Sequence, residues 1–290
     1  RALAVVLAAL IIITFGIGFV GVQASNSASA LAEAFVFENN TIVFGALIAI
    51  AAAAIIFGGV KRIAKFSAKV VPVMALLWLI FCAIVILCNY QGIVNAFVMI
   101  FQYAFGIEQV AGGLLGAVIM SGLKRGVFSN EAGLGSIANI ASTADVKHPV
   151  KQGMIQSFGT LVDTLIVCSF TAVVILSFSD YNTIVGLGYD KAPLVQYIFG
   201  ESVFSSAGPI IVSLFLLVFA FTSLIGYYTM SESNIRFISD KKSTVFAVRV
   251  LIIVVAFLSC IAGTALMELI CDTFMAAMGA VNMLCVFLLS

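Results

Sequence analysis

Charge is what this chain has least of. Only 14 of its 290 residues are Lys or Arg and 13 are Asp or Glu. That is 9% charged residues, against about 25% in an ordinary soluble domain, so the chain cannot clothe a water-facing surface. A net charge of +1 gives no electrostatic footprint for nucleic acid. Histidine occurs once, as His148 before Pro149, and with no second histidine or nearby cysteine it offers no metal site. The six cysteines, Cys82, Cys88, Cys168, Cys260, Cys271 and Cys285, lie in or beside apolar segments without C-x-x-C spacing and read as small packing residues. An intramembrane enzyme would need a nucleophile with a base, a carboxylate pair or a metal cluster, and the sequence gives acids such as Asp163 no partner. The chain does not read as an enzyme.

Hydrophobic residues are abundant instead, at 63% against about 45–50% in soluble domains. The pattern is that of an all-α polytopic membrane protein. Polar breaks divide it into about eight spans, near 2–34, 41–60, 70–95, 110–142, 152–178, 207–233, 243–263 and 267–290. Lys61, Arg62, Lys65 and Lys69, then Lys147 and Lys151, then Arg236, Lys241 and Lys242 fall in alternate connections. The opposite connections hold Glu38, Glu108, Asp180, Asp190 and Glu201, with Lys191 as their one cation. The positive-inside rule puts Arg1 and the basic connections in the cytoplasm. Residues 179–207, rich in Gly and polar groups, read as an external segment with a short interfacial helix around Leu194 to Phe199 and Tyr197 at the headgroups.

Expensive groups concentrate between Gly122 and Gly135, G-L-K-R-G-V-F-S-N-E-A-G-L-G. Gly122 and Gly126 bracket Lys124 and Arg125, which makes a continuous helix costly there and predicts a broken one, with unwound backbone lining a cavity. The alternative is that the two cations end a short helix at the cytoplasmic surface. Asn130 and Glu131 could serve a gate, Glu131 by pairing with Lys124 or Arg125, or be hydrogen-bonded structural groups. Asp163, deep in the fifth span, carries the same two readings.

Two more polar groups sit inside spans. Gln23, Asn26, Ser27 and Ala30 recur at helical spacing and form a stripe, for a cavity or for helix-to-helix hydrogen bonds. Thr222 and Ser223 are adjacent in the sixth span and can offer oxygen ligands to a cation, or return their hydroxyls to their own helix. Tyr227 follows Ser223 by one turn. Phe128 is a second candidate pocket wall, with Met120 beside it; such walls select small side chains by exclusion.

Lys124 to Ser136, K-R-G-V-F-S-N-E-A-G-L-G-S, resembles the signature of the alanine or glycine:cation symporter family. The resemblance extends through F-G-I-G at Phe15 to Gly18, the polar run from Gln23 to Ser27, His148-Pro149, G-T-L-V-D-T from Gly159 to Thr164, and C-D-T-F-M-A-A-M from Cys271 to Met278. It implies a leucine-transporter-type inverted-repeat bundle in one transmembrane domain over residues 1–290, of which core helices three to ten are present. The first broken helix would precede Arg1, and both ends look like cuts through a larger protein. The implied activity is secondary active, sodium-coupled symport of alanine or glycine across the plasma membrane, in a bacterium or archaeon the inner one. Sodium is the coupling ion and no cofactor is implied beyond it. Gln23, Met120, Phe128 and Tyr227 would touch substrate and Thr222 and Ser223 sodium, with Gly122, Gly126, Asn130 and Glu131 at the break and gate. The family often has Trp where Tyr227 stands, which leaves the substrate open. A proton-coupled transporter, with Asp163 or Glu131 titrating, and a non-transporting fragment needing a partner chain are the competing readings.

Overall fold

The computed structural model describes residues 2–36, 39–105, 115–131, 133–178, 186, 188–189 and 191–289. Glu38, Glu108, Asp180 and Asp190, which carry part of the topology argument, lie outside the described residues, as do residues 110–114 of the fourth predicted span. Secondary structure among the described residues is helical throughout. The helices are α1 (Ala2–Ala34), α2 (Asn40–Ile56), α3 (Val60–Cys88), α4 (Ile93–Phe105), α5 (Leu115–Asn130), α6 (Ser136–Ala141), α7 (Pro149–Leu176), α8 (Lys191–Glu201), α9 (Gly208–Ile238), α10 (Lys242–Ala262) and α11 (Thr264–Leu289). Six of them, α1, α3, α7, α9, α10 and α11, are long and apolar enough to cross a bilayer. This is a multi-pass membrane protein. With 17 residues, α2 is apolar but shorter, ~25 Å against the ~30 Å hydrocarbon core.

The third span starts ten residues earlier than its hydropathy suggests. Lys61, Arg62, Lys65 and Lys69 lie inside α3 rather than in a connection, because Ile63, Phe66 and Val70 among them recur at helical spacing and turn inward, Ile63 buried and the other two half-buried. Pro72 sits inside the same helix. The fourth span is interrupted, but not at Gly122 and Gly126. Helix α5 runs through both, and each is open to space within 4 Å. The break falls between Asn130 and Ser136, where Glu131 (φ +51°), Gly133 (φ +77°) and Gly135 (φ +85°) take the left-handed conformation.

The chain divides into two compact units. The first comprises Arg1–Met74, Gly133–Ala144 and Ile210–Ser290. Its core sets small residues among large ones: Val20, Ala24 and Ala28 of α1, Ile48 and Ala52 of α2, Leu224, Ile225 and Tyr228 of α9, and Ile252 and Ala256 of α10. In lipid, helices associate through close packing rather than water exclusion, so alanines and glycines let backbones approach. A Cβ on Gly45 would come within 2.8 Å of the Cys260 Cβ, so α2 and α10 have no room for more. The α1–α2 turn is tied by Asn40, whose Nδ2 donates to the carbonyls of Ala32 (2.7 Å) and Phe35 (3.2 Å), satisfying acceptors the end of α1 leaves open. Ser213 Oγ of α9 donates to the Ala30 carbonyl at 2.9 Å. Two helices contain a π-helical segment, Thr14–Phe19 in α1 and Asp163–Cys168 in α7. Such segments widen the turn and free backbone acceptors.

The second unit comprises Ala75–Ala132 and Asp145–Pro209. Trp78 Nε1 donates to Thr171 Oγ1 at 3.0 Å, joining α3 to α7, and the Trp78 ring stacks on Phe199 of α8. The expected short helix around Leu194 to Phe199 is present as α8, but its residues Gln196, Ile198 and Phe199 are buried. Tyr197 packs against Phe178 and Tyr189, so its ring belongs to an aromatic cluster.

Candidate functional site

A cavity of ≈ 280 Å³ in the first unit brings together two of the residues singled out from sequence. Its walls come from the start of α3 (Val60, Ile63), from α6 (Ile140) and from one face of α9 (Ser223, Gly226, Tyr227). Ser223 and Tyr227, one turn apart, share that face as their spacing requires. The hydroxyls of α9 are used differently along the helix. Thr229 Oγ1 donates to the Ile225 carbonyl (2.9 Å) and Ser231 Oγ to that of Tyr227 (3.0 Å), each bonding back into its own helix. Thr222 Oγ1 does the same toward Val218 (3.0 Å) and Phe219 (2.9 Å) and packs on the Met74 sulfur at 3.9 Å. Among the described residues, Ser223 Oγ has no hydrogen-bond partner, and it opens on the cavity. Adjacent residues on a helix point about 100° apart; Thr222 accordingly lies off the cavity, buried against α3.

Tyr227 is fixed from behind. Its ring lies 5.2 Å from that of Phe15 and 5.0 Å from that of Phe19, which stack on each other at 5.0 Å. Both phenylalanines belong to the π-helical segment of α1, so this irregular turn positions the wall of the cavity. Gln23 is one turn beyond Phe19, half-buried, and its side-chain amide makes no hydrogen bond among the described residues. It does not line the cavity. In the same stripe, Ser27 Oγ donates to the Gln23 carbonyl at 2.9 Å.

The helix break is held by partners far away in sequence. Asn282 of α11 donates through Nδ2 to the Gly133 carbonyl at 2.9 Å, and a Cβ on Gly135 would lie 2.6 Å from Asn282 Oδ1. Beyond the break, Asn139 of α6 and Asn234 of α9 exchange two amide hydrogen bonds, 3.1 and 2.9 Å. Ser136 Oγ, at the first residue of α6, is buried with no hydrogen-bond partner among the described residues, as are Thr14 Oγ1 and Ser25 Oγ of α1.

The other predicted site residues lie in the second unit. Met120 is 64% exposed, Phe128 is half-buried, and Gly122 and Gly126 are exposed along α5. Asn130 Oδ1 accepts a hydrogen bond from Thr164 Oγ1 at 2.8 Å, joining the end of α5 to the π-helical segment of α7 that begins at Asp163. The Asp163 side chain is exposed.

One cluster escaped the sequence reading. Glu232 of α9 is 3% exposed and accepts from Arg249 Nη2 of α10 (3.0 and 3.2 Å) and from Arg236 Nε and Nη2 (3.0 and 2.7 Å). The Tyr228 hydroxyl donates to Glu232 Oε2 and accepts from Arg249 Nε at 2.9 Å. Asp240 accepts from Arg236 at 3.0 Å and completes a neutral set of two cations and two anions. The signal was Arg249, an arginine seven residues into an apolar helix, which membranes tolerate only when it is paired.

The sequence profile of the sodium:alanine symporter family matches residues 1–290 of the chain. The chain belongs to that family. Among its relatives are a probable sodium/glutamine symporter of Bacillus subtilis, 39% identical over 98% of the chain and 58% of that protein, and a sodium/alanine symporter of Methanococcus maripaludis, 34% identical over 95% and 60%. A sodium/proton-dependent alanine carrier of Bacillus sp. PS3 is 36% identical over 82% and 56%. The chain thus spans under two thirds of the length of each of these family members. As a sodium:alanine symporter family protein it sits among transporters rather than enzymes.

Proposed function

We propose that the protein is a secondary active transporter of the plasma membrane, carrying a small neutral amino acid inward together with sodium by alternating access within a leucine-transporter-type bundle. The observation that carries this reading is the cavity in the first unit, where the unpartnered Ser223 hydroxyl and the Tyr227 ring face an otherwise apolar space inside a membrane helix. A hydroxyl that has no acceptor in its own helix is available to a cation or to a zwitterion's charged group. Family membership and the named relatives support an amino acid as substrate and sodium as the coupling ion. In this reading Ser223 leads the cation site, and Thr222, whose oxygen keeps its lone pairs while it donates, supports it. Gln23, Tyr227, Phe128 and Met120 contact or enclose the substrate, and the Glu131–Gly135 break rather than Gly122 and Gly126 is the pivot. Neutral ligands suit sodium, since Ser223 and Thr222 do not titrate.

The test is uptake of labelled alanine, glycine and glutamine into proteoliposomes holding the full protein, under an inward sodium gradient and with potassium in its place. Sodium-dependent accumulation of one of them, needing more sodium in Ser223→Ala, is the expected result. Accumulation driven equally by a proton gradient without sodium would replace the coupling ion. No accumulation from a monodisperse preparation would overturn transport by this protein.

A further inference from the structure

Glycine inside an α-helix is unfavourable relative to alanine, so each one asks for a physical reason. In the first unit the usual reason is a close neighbour. A Cβ added to Gly16, Gly18 or Gly45 would come within 2.8 Å of Ser231 Oγ, Cys271 Sγ or the Cys260 Cβ, so these glycines let another helix approach the backbone. Gly133 and Gly135 have a second reason, a left-handed φ. Gly226 of α9 has neither. It lies within the helix without a positive φ, and among the described residues a Cβ built on it meets nothing within 4 Å. What borders it is the cavity, whose α9 wall includes Ser223, Gly226, Tyr227 and Met230 at i, i+3, i+4 and i+7. The side chain that Gly226 lacks is therefore cavity space.

We infer that Gly226 is the specificity-determining residue for substrate size, and that the space beside it takes an aliphatic side chain of up to about three carbons. The inference rests on the transport reading above, with the amino acid bound in this cavity. The remaining walls set the chemical class. Val60, Ile63 and Ala64 of α3, Ile140 of α6 and Met230 of α9 are apolar, and the Thr229 hydroxyl donates to the Ile225 carbonyl of its own helix. An aliphatic chain gains by leaving water for such walls, whereas a polar one of the same length exchanges hydrogen bonds for apolar contacts. Volume sets the length. At ~30 Å³ for each water-sized group, ≈ 280 Å³ holds about nine non-hydrogen atoms. Alanine with one sodium ion supplies about seven, so about two further carbons fit, which makes norvaline the longest straight-chain member accepted. A methyl group at Gly226 would project into this space and shorten the limit by about one carbon.

The experiment is competition in proteoliposomes holding the full protein. Sodium-driven uptake of the labelled amino acid that accumulates is inhibited by unlabelled glycine, alanine, 2-aminobutyrate, norvaline and norleucine, each one carbon longer than the last. The unmodified protein is expected to accept the series through norvaline and to take norleucine at least about tenfold more weakly. Gly226→Ala should bring that drop forward to norvaline, again about tenfold or more, with alanine little changed. Gly226→Val, which fills more of the same space, should bring it forward to 2-aminobutyrate. Gly226→Ala sits in open space within a helix, where alanine is the better helix former, so the variant is expected to fold. A merely structural role would weaken every member of the series alike and lower Vmax for all. Parallel weakening of that kind overturns the inference. So does a drop that stays at norleucine in both variants, or an unmodified protein that accepts nothing longer than alanine. Absence of any sodium-driven uptake by the unmodified protein would overturn the transport reading and this assignment with it.

Discussion

Replacing Glu232 by Gln tests whether the buried cluster between α9 and α10 holds the first unit together. The carboxylate is 3% exposed and takes hydrogen bonds from Arg249, Arg236 and Tyr228. Gln keeps the shape, but its amide has one acceptor oxygen where the carboxylate has two, and it turns an NH₂ toward the guanidinium groups. Arg249, with its side chain 19% exposed, then becomes a largely buried cation with only neutral acceptors, the Gln amide oxygen and the Tyr228 hydroxyl. Breaking one side of a buried pair costs about 3–5 kcal/mol. The Arg236 contacts add little, because that guanidinium is 48% exposed and surface pairs are worth about 0–1 kcal/mol. The expected loss from Glu232→Gln is therefore about 3–4 kcal/mol, and Arg249→Met, which leaves the carboxylate its Arg236 and Tyr228 partners, should cost less, about 1.5–3 kcal/mol. Removing both charges strands neither, so the double variant should recover most of the loss.

The assay is equilibrium unfolding of the four proteins of this double-mutant cycle in mixed micelles. A coupling energy of about 2 kcal/mol or more is expected, in the range that contacting residues show. Additive single-site losses, or singles each within about 0.5 kcal/mol of the unmodified protein, would refute the argument that desolvation makes this pair indispensable once formed.

The remaining predictions follow from the cavity and the break. Ser223→Ala should raise the sodium concentration for half-maximal uptake by about tenfold or more, equivalent to ~1.4 kcal/mol, while Thr222→Ala, off the cavity, changes it less; the reverse order in a sodium titration would move the ion site to the α3 side of α9. Gly135→Ala should destabilise by about 1–3 kcal/mol, since it forces φ +85° and a 2.6 Å approach to Asn282 on an alanine. Gly126→Ala, in open space within a helix, should be neutral or stabilising by up to about 1 kcal/mol; unfolding midpoints of the two variants compare the break positions directly. Tyr227→Ala should shift uptake toward glutamine over alanine by about 10-fold or more, as enlarging an apolar pocket typically does, read as a ratio of Vmax/KM in competition.

How much of this was legible in the chain depended on the distance over which each feature is decided. Spans are local: apolar runs of sufficient length made α1, α7, α9, α10 and α11 readable from hydropathy alone. The start of α3 was misplaced because four cations outweigh three apolar residues in a hydropathy average, although the spacing of Ile63, Phe66 and Val70 already carried the helical period. At the cavity, Ser223 and Tyr227 were readable as a one-turn pair, but the difference between Ser223 and Thr222 was not. That difference depends on which way α9 is rotated, and the rotation is set by Tyr228 and Leu224 packing into the core on the opposite side.

The break shows the physical limit most clearly. A glycine inside a helix costs only about 1 kcal/mol, so Gly122 and Gly126 permit an interruption without requiring one. What requires one is a partner that makes the left-handed backbone worth adopting, and that partner is Asn282, whose amide satisfies the Gly133 carbonyl and whose oxygen leaves no room for a Cβ on Gly135. The Asn139–Asn234 pair acts similarly on the helix that follows, tying α6 to α9 two turns beyond Tyr227. In both places an amide side chain from a long helix meets the short segment, through one neutral hydrogen bond at Gly133 and two at Asn139, each bond worth about 1 kcal/mol net. Contacts of that size hold a segment in one arrangement and still let it leave without stranding a charge. The Glu232–Arg249 cluster is the opposite design, expensive to open, and it joins two long helices rather than the break. The fold therefore separates a strongly tied α9–α10 pair from a weakly tied α6, and the cavity lies where α6 and α9 meet.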